Sequence, residues 1–435
     1  MLEPAQRPVL FSTAVQHHLA GDLAAAEPLY RQLLEHQPDD AASRHYLGFL
    51  LQQRDQLDEA REQLTAAIAL DGSHAEWHFN LGIVLVKQGE GEAAIAAFTR
   101  AIALDNRRYF YWTNLGAAFE AADEPQHAEQ CYDMALRLDP ECGDAYFLLA
   151  SLYLKLARYP EARHYNYRGI AASAGAGTSR ILLGQAYHEL GRPQEAVQLF
   201  QQWLAEEPGH PVASHLLAAY QGGPVPERCS PAYVEATFDA FADSFDDILQ
   251  RLDYAGPGLV ADYLAAQPKG RRFSEALDLG CGTGQVGEAI RPYVDQLSGV
   301  DLSQAMLAQS RQRGVYDQLL RADIGDFLAA LPARYALITC MDTFIYLGRL
   351  DVLLPRLHAS LEPGGLLLFS TEKLEGQDVP PYWLNTSGRY SHAPQALAEQ
   401  LQAAGLQLLI RQEVVLRKEA GCAIAGQFYA VTRPA

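Results

Sequence analysis

Ala276-Leu-Asp278-Leu-Gly280-Cys-Gly282-Thr-Gly284, followed by Gly299-Val-Asp301-Leu-Ser303, decides how the second half of this chain is read. The apolar run predicts a buried strand, the glycines a tight turn opening a helix, and Asp301 a carboxylate closing a second strand. That is the first half of a nucleotide-binding βαβ unit. Gly282-Thr-Gly284-Gln-Val-Gly287 also satisfies the dinucleotide fingerprint, so two cofactor classes compete. A pyrophosphate needs a turn free of negative charge, with helix N–H groups facing it. Asp278, two residues before the first glycine, instead suits a cofactor that presents a positive ammonium group, as S-adenosylmethionine does.

The residues that follow extend the unit. Asp301 ends the apolar run Leu297 to Val300, where with Leu302 beside it a carboxylate accepts from ribose hydroxyls. Leu319-Leu-Arg-Ala-Asp323-Ile324 reads as a third strand, Asp323 accepting from an adenine amino group and Ile324 packing on the ring. A fourth strand (Ala336 to Cys340), a helical stretch from about Leu350, the turn Pro363-Gly-Gly365 and the strand Leu366 to Phe369 come next. Leu406 to Leu416 and Phe428 to Thr432 lie too close together for a helical crossover, so they predict an antiparallel hairpin. The expected domain is Rossmann-like α/β: a mostly parallel sheet with one antiparallel strand.

The first half of the chain repeats. A step of 34 residues aligns Gly48, Gly82, Gly116 and Gly184, with Ala14, Ala150 and Ala218 in the same phase. Ala26, Ala60, Ala94, Ala128, Ala162 and Ala196 form a second column, and Tyr30, Leu64, Phe98, Tyr132, Asn166 and Phe200 a bulky one. This is the tetratricopeptide period, which predicts an α-solenoid of paired helices. Small residues are expected where paired helices cross, large ones between adjacent pairs. The fifth unit is weak, with Asn166 in the bulky column and Ala171-Ala-Ser-Ala-Gly-Ala-Gly177 as a joint or long loop. About six repeats and a capping helix over 7–221, a linker over 222–231 and a catalytic domain over 232–435 are expected.

Such an array curves into a groove lined by the first helix of each pair. Phe79 and Phe147 hold the fifth position of their units, and Asn80 and Asn114 the sixth of consecutive units. Amides repeated one unit apart fit an extended peptide backbone, which predicts a protein or peptide partner. Packing against the array's own helices is the alternative.

Net charge −19 argues against a general nucleic-acid binder. The six cysteines have no paired spacing, so neither a disulfide framework nor a metal site is predicted. Met1 to Leu10 lacks the order of a signal peptide and no apolar run reaches spanning length, so no membrane role is expected and the cytoplasm is the default compartment.

Four further stretches carry a resemblance: Asp342-Thr-Phe-Ile-Tyr346-Leu-Gly348, Pro363-Gly-Gly-Leu-Leu-Leu-Phe-Ser370-Thr-Glu372, Leu384-Asn-Thr-Ser-Gly-Arg389-Tyr-Ser-His392 and Leu416-Arg-Lys-Glu-Ala-Gly421. With the repeats, the chain resembles a bacterial family of predicted methyltransferases carrying tetratricopeptide repeats. Phe238-Asp-Ala-Phe-Ala-Asp-Ser-Phe245-Asp246 is similar to that family's cofactor-covering helix, though Phe238, Phe241 and Phe245 fit a plain core equally. The resemblance spans nearly the whole chain, and implies the class I fold and transfer from S-adenosylmethionine, but no acceptor. Tyr335-Ala336-Leu-Ile departs from the family's usual aromatic-Asp-Leu-Ile.

In that fold class Asp342 lies where residues face the methyl group, and Tyr346 follows one helical turn later. Arg389 and Tyr390 are expected at the acceptor pocket, Arg389 holding a carboxylate and His392 accepting a proton. A structural loop is the alternative for both, and Arg417 reads as a hairpin-end residue. Three readings follow: a methyltransferase whose repeats recruit a protein or peptide acceptor, a small-molecule methyltransferase with repeats for assembly, or a non-catalytic scaffold with a cofactor-sensing domain.

Overall fold

The computed structural model describes residues 6–435 apart from 176, 224, 269, 331–334, 377 and 420. The first five residues, Ala176 in the expected joint and Pro224 in the expected linker therefore lie outside the described residues. Two compact units divide the chain, Met1–Thr178 and Ser179–Ala435. Among the described residues no helix is long and apolar enough to cross a membrane.

In the first unit the described residues form ten helices in five hairpins, from Arg7–Leu19 with Leu23–His36 to Gly143–Lys155 with Tyr159–Ala172. Asp22 and Asp40 cap their helices, accepting from the N–H groups of Ala25 and Ser43. Each hairpin turns through one left-handed residue: Gly21, Asp55, Gly89, Asp123 and Ala157, with φ between 56° and 80°. The members of the bulky column pack on the small residue of their own hairpin as well as towards the next one. A Cβ on Gly82 would sit 2.4 Å from the Phe98 ring and one on Gly116 2.6 Å from Tyr132, while Tyr30 stacks on Tyr46 of the following hairpin at 6.0 Å. The fifth hairpin reverses the roles. Asn166 is no wedge there; the Phe147 ring of the first helix lies on Gly169 of the second, 2.7 Å from where a Cβ would be.

The second unit holds nine strands among its described residues: β1 (Phe273–Leu279), β2 (Val294–Asp301), β3 (Gln318–Arg321), β4 (Tyr335–Cys340), β5 (Leu361–Lys373), β6 (Tyr382–Leu384), β7 (Tyr390–His392), β8 (Gln407–Glu419) and β9 (Cys422–Thr432). β3-β2-β1-β4-β5 run parallel, β9 joins β5 antiparallel, and β8 completes the hairpin outside β9. The short pair β7–β6 extends the end of β5, so β6 is a second antiparallel strand beyond the one expected. Alternate residues of the central strands feed opposite cores. Leu277, Ile338, Leu367 and Phe369 face one, and Ala276, Leu337, Leu366 and Leu368 the other.

Three helices that carry the end of the repeat pattern, Arg180–Glu189, Pro193–Glu206 and Pro211–Gln221, belong to this second unit. Phe200, Val212 and Leu216 share a core with Cys229, Tyr233, Leu384 and Tyr390. His215 Nε2 lies 2.9 Å from the Gly388 carbonyl, with Cys229 Sγ 3.3 Å away. The segment expected as a linker is bonded to the sheet domain. Gly348 and Arg349 donate to the Glu227 carbonyl at 3.0 and 2.8 Å, and Cys229 N–H to Tyr346 at 2.9 Å.

Candidate cofactor and acceptor site

Strand order reverses between β1 and β4, and a cavity of about 400 Å³ opens beyond the carboxyl ends of these strands. Its floor is the glycine turn after β1. Gly280, Gly282 and Gly284 all take positive φ, at 68°, 53° and 92°. A Cβ on Gly280 would strike Thr343 Oγ1 at 2.3 Å, whereas one on Gly282 would meet only Phe245 at 3.8 Å. The turn is therefore wedged against the β4 loop on one side and open to the cavity on the other, the cradle a cofactor needs.

Asp301 lies on the cavity wall at the end of β2. Its Oδ2 accepts from Gly282 N–H at 2.9 Å and its Oδ1 from Ser303 N–H at 2.8 Å. Burial pushes its carboxyl above the usual range, and those N–H groups oppose the shift. Leu302 and Ile324 line the same wall. Asp323 does too, with Oδ1 accepting from Gly325 N–H at 2.9 Å and from Arg228 Nη1 at 3.2 Å. Burial works to raise the Asp323 carboxyl, but Arg228 together with the N–H groups of Asp326 and Gly325 holds it below its ordinary value. An adenine amino group at Asp323 would share it with this guanidinium. Arg228 has no local sequence signal, because its partner lies 95 residues further along the chain.

Asp278 is the clearest departure from expectation. It is buried and absent from the cavity lining. Oδ2 accepts from the Tyr316 hydroxyl and Oδ1 from Thr339, each at 2.7 Å. Burial lifts its carboxyl to about 6, with the two hydroxyls opposing. It braces β1 against β4 and the Tyr316 segment rather than facing an ammonium group.

Phe238, Phe241 and Phe245 line the cavity, with ring centroids 5.8 to 6.0 Å apart. Acidic residues of the same segment pin it down. Asp246 accepts from Gln285 at 2.9 Å and also from Thr283 and Arg313, and Asp243 from Gln309 at 2.9 Å.

At the opposite end sits a charge cluster assembled from four strands or strand ends. Arg417 Nη1 donates to both oxygens of Asp342 at 3.0 and 2.9 Å, and its Nε to Glu419 at 2.8 Å. Arg417 Nη2 and Arg389 Nε both reach Glu372 Oε1, the latter at 2.8 Å, and Arg389 also bonds Glu419. Asp342, Arg389, Arg417 and Glu419 line the cavity. Arg417 stands near the hairpin end of β8 and is at the same time the buried centre of this cluster, its side chain 3% exposed. Asp342 adopts φ 51°, a strained backbone that persists where surrounding contacts hold it. Burial raises its carboxyl and Arg417 opposes.

Tyr346 lines the cavity as expected, and Tyr254 lines it unexpectedly. Burial, with Asp342 and Asp278 nearby, pushes the Tyr254 phenol well up. Besides Asp278, two more expected site residues do not reach the cavity. Tyr390 is buried in the core and donates to the Pro226 carbonyl at 2.9 Å. His392 Nε2 faces the carbonyls of Leu347 and Gly348 at 2.9 and 3.2 Å, so it carries the proton and donates. Burial lowers this imidazole to about 4. It is a strand residue holding the β4 loop, not a base.

In the repeats, the four groove candidates do not form a ladder. Asn80 is buried and bonds His45 Nε2 at 3.0 Å, while Asn114 donates to Phe110 of its own helix at 2.8 Å. Phe79 packs on Phe98, Phe110 and Tyr111. Phe147, 37% exposed, presents one edge outward.

Residues 252–410 match a family model described as a methyltransferase domain. Residues 8–32, 29–62, 47–108, 113–177 and 179–212 match tetratricopeptide repeat models. A malonyl-[acyl-carrier protein] O-methyltransferase of Enterobacter lignolyticus (strain SCF1) is 32% identical over 111 residues, 26% of this chain and 44% of that protein. Methyltransferase-like protein 27 of Homo sapiens is 30% identical over 178 residues, 39% of this chain and 66% of that protein. The chain spans less than two thirds of the length of either relative. The solved magnesium protoporphyrin IX methyltransferase of Synechocystis PCC 6803 with bound SAH is similar at 13% identity and TM-score 0.38, over 47% of this chain and 100% of that one.

Proposed function

On the premise that the chain carries tetratricopeptide repeats followed by a methyltransferase domain, we propose that it transfers a methyl group from S-adenosylmethionine to an uncharged nucleophilic acceptor. The acceptor is carried by a protein or peptide that the repeats recruit, in the cytoplasm. One observation carries the cofactor assignment: Asp301, at the end of β2, lies beside the open face of Gly282 at the point where strand order reverses. Asp301 holds the ribose hydroxyls, and Leu302 and Ile324 pack on the base. Bound there, S-adenosylmethionine supplies a sulfonium-activated carbon, so the protein's task is to position a nucleophile and exclude water. Phe238, Phe241 and Phe245 do the excluding.

The acceptor's charge follows from the cluster opposite. Arg389 and Arg417 face three carboxylates, Asp342, Glu372 and Glu419, so the wall carries one excess negative charge. A carboxylate acceptor would meet guanidiniums already paired and a repulsive surplus. Asp342, bonded through both oxygens, orients rather than deprotonates, which suits an acceptor that needs no early proton loss.

A second reading, a small-molecule acceptor with repeats for assembly, is favoured by the broken amide ladder at Asn80 and Asn114. Labelled S-adenosylmethionine added with the full chain to a lysate separates the two. Label in a discrete protein band supports the first. Label confined to small molecules sinks it.

A further inference from the structure

β8 is an outer strand of the sheet; among the described residues it pairs with β9 alone. Its first seven residues, Gln407 to Glu413, are all exposed, although Leu408, Leu409 and Ile410 stand among them in succession. Leu409 is 45% exposed, Ile410 41% and Val415 47%. Successive residues of a strand point to opposite faces, so large apolar groups are shown on both. The outer edge is bonded at its far end, where Leu416 accepts from Ala255 and Lys418 donates to Leu252; before that, an edge strand presents backbone N–H and C=O groups ready to pair.

The order of residues says what fits that edge. From Ile410 to Val415, β8 keeps regular register against β9, and irregularities flank the stretch at Leu408/Ile410 and Val415/Arg417. Within it, Ile410-Arg411-Gln412-Glu413-Val414 reads apolar, cation, neutral, anion, apolar. Laid antiparallel on itself about Gln412, Arg411 falls opposite Glu413 twice and Ile410 opposite Val414 twice. Residues directly opposite in an antiparallel pair share a face at about 5 Å, where opposite charges and apolar pairs attract. A parallel pairing in register would set each charge beside its like.

From this self-complementary order we infer that β8 is a dimer edge: two copies of the chain join β8 to β8, antiparallel about Gln412, and continue one sheet through both. The contact uses the same surface on each copy, so it closes at two. Arg411 and Glu413 have partners within the chain, the Pro394 carbonyl at 3.3 Å and Lys373 at 2.8 Å. Lys373 lies on β5, across β9, so Glu413 exchanges this partner for Arg411 of the second copy on pairing; its side chain is 61% exposed. The inference stands apart from methyl transfer.

Sedimentation velocity of the full chain, from micromolar to near-millimolar concentration, tests it beside Arg411→Glu, Glu413→Arg and the double swap. The parent forms a concentration-dependent dimer. Each single reversal sets like charges opposite one another twice and weakens association by about tenfold or more. The double swap restores it to within about threefold. Thermal midpoints matching the parent's confirm that all three variants fold. A parent that stays monomeric throughout overturns the inference, whether or not β8 takes up a strand from another protein. So does a dimer indifferent to the single reversals, or a double swap that restores nothing.

Discussion

The two units solve one packing problem in opposite ways. In the first, each hairpin closes on itself: a bulky residue meets a small one a short distance along the chain, and one left-handed residue turns the corner. In the second, the parts that matter come from far apart, as when Arg417 gathers Asp342, Glu372 and Glu419. Local order leaves a period in the sequence, and distant order does not. The helices from Arg180 to Gln221 sit on the line between these regimes: they are written like the first unit and packed into the second.

The sharpest way to break this contrast is truncation. A chain beginning at Pro231 loses Phe200, Val212 and Leu216 from a shared core, and should show no cooperative thermal transition by circular dichroism. One beginning at Ser179 should keep it. If both melt alike, those helices are ordinary repeats.

Next in size is Arg417→Met. It strands three buried or half-buried carboxylates, and should cost about 3–5 kcal/mol in urea unfolding of the second unit. A loss under about 1 kcal/mol would mean the cluster is solvated like a surface one.

Acid should find the first unit's own weak point. His45 is buried beside Asn80, whose amide it accepts, and its pKa falls to about 4 through burial, with His74 and His18 adding to the shift. Between pH 6.5 and about 4 the unfolded chain takes up a proton the folded one refuses, so stability falls as pH falls, by up to about 3 kcal/mol. His45→Gln keeps an acceptor without titrating and should flatten that limb. An unchanged acid profile would show that His45 is not responsible.

Asp301→Ala should lower affinity for S-adenosylmethionine about tenfold or more by calorimetry, the worth of a charge-assisted hydrogen bond. Unchanged affinity would remove Asp301 from the cofactor site. The smallest effect is a gain. Ala157 holds φ 56° where Gly21 and Gly89 serve other hairpins, and Ala157→Gly should stabilise the first unit by about 0.5–1 kcal/mol. A loss instead would mean the turn tolerates alanine without strain.

The β1 turn, Asp301 and the repeat columns were legible because a glycine, a strand end and a period are local marks. Tyr254, Arg228 and the centre of the Arg417 cluster were not, since each earns its place from a partner elsewhere in the chain. His392 and Asp278 were misjudged for the same reason. A histidine between strands looks like a base until the carbonyls of Leu347 and Gly348 accept its N–H, and a carboxylate before glycines looks like a ligand until two hydroxyls donate to it.

His215, bonded to the carbonyl of Gly388 one residue before Arg389, has a bearing on ancestry. The last helices of the repeat pattern thus hold the turn that leads into Arg389, alongside the ion pairs of Arg389 with Glu372 and Glu419. Lineages descended from this chain are therefore expected to keep these helices for as long as they keep that turn.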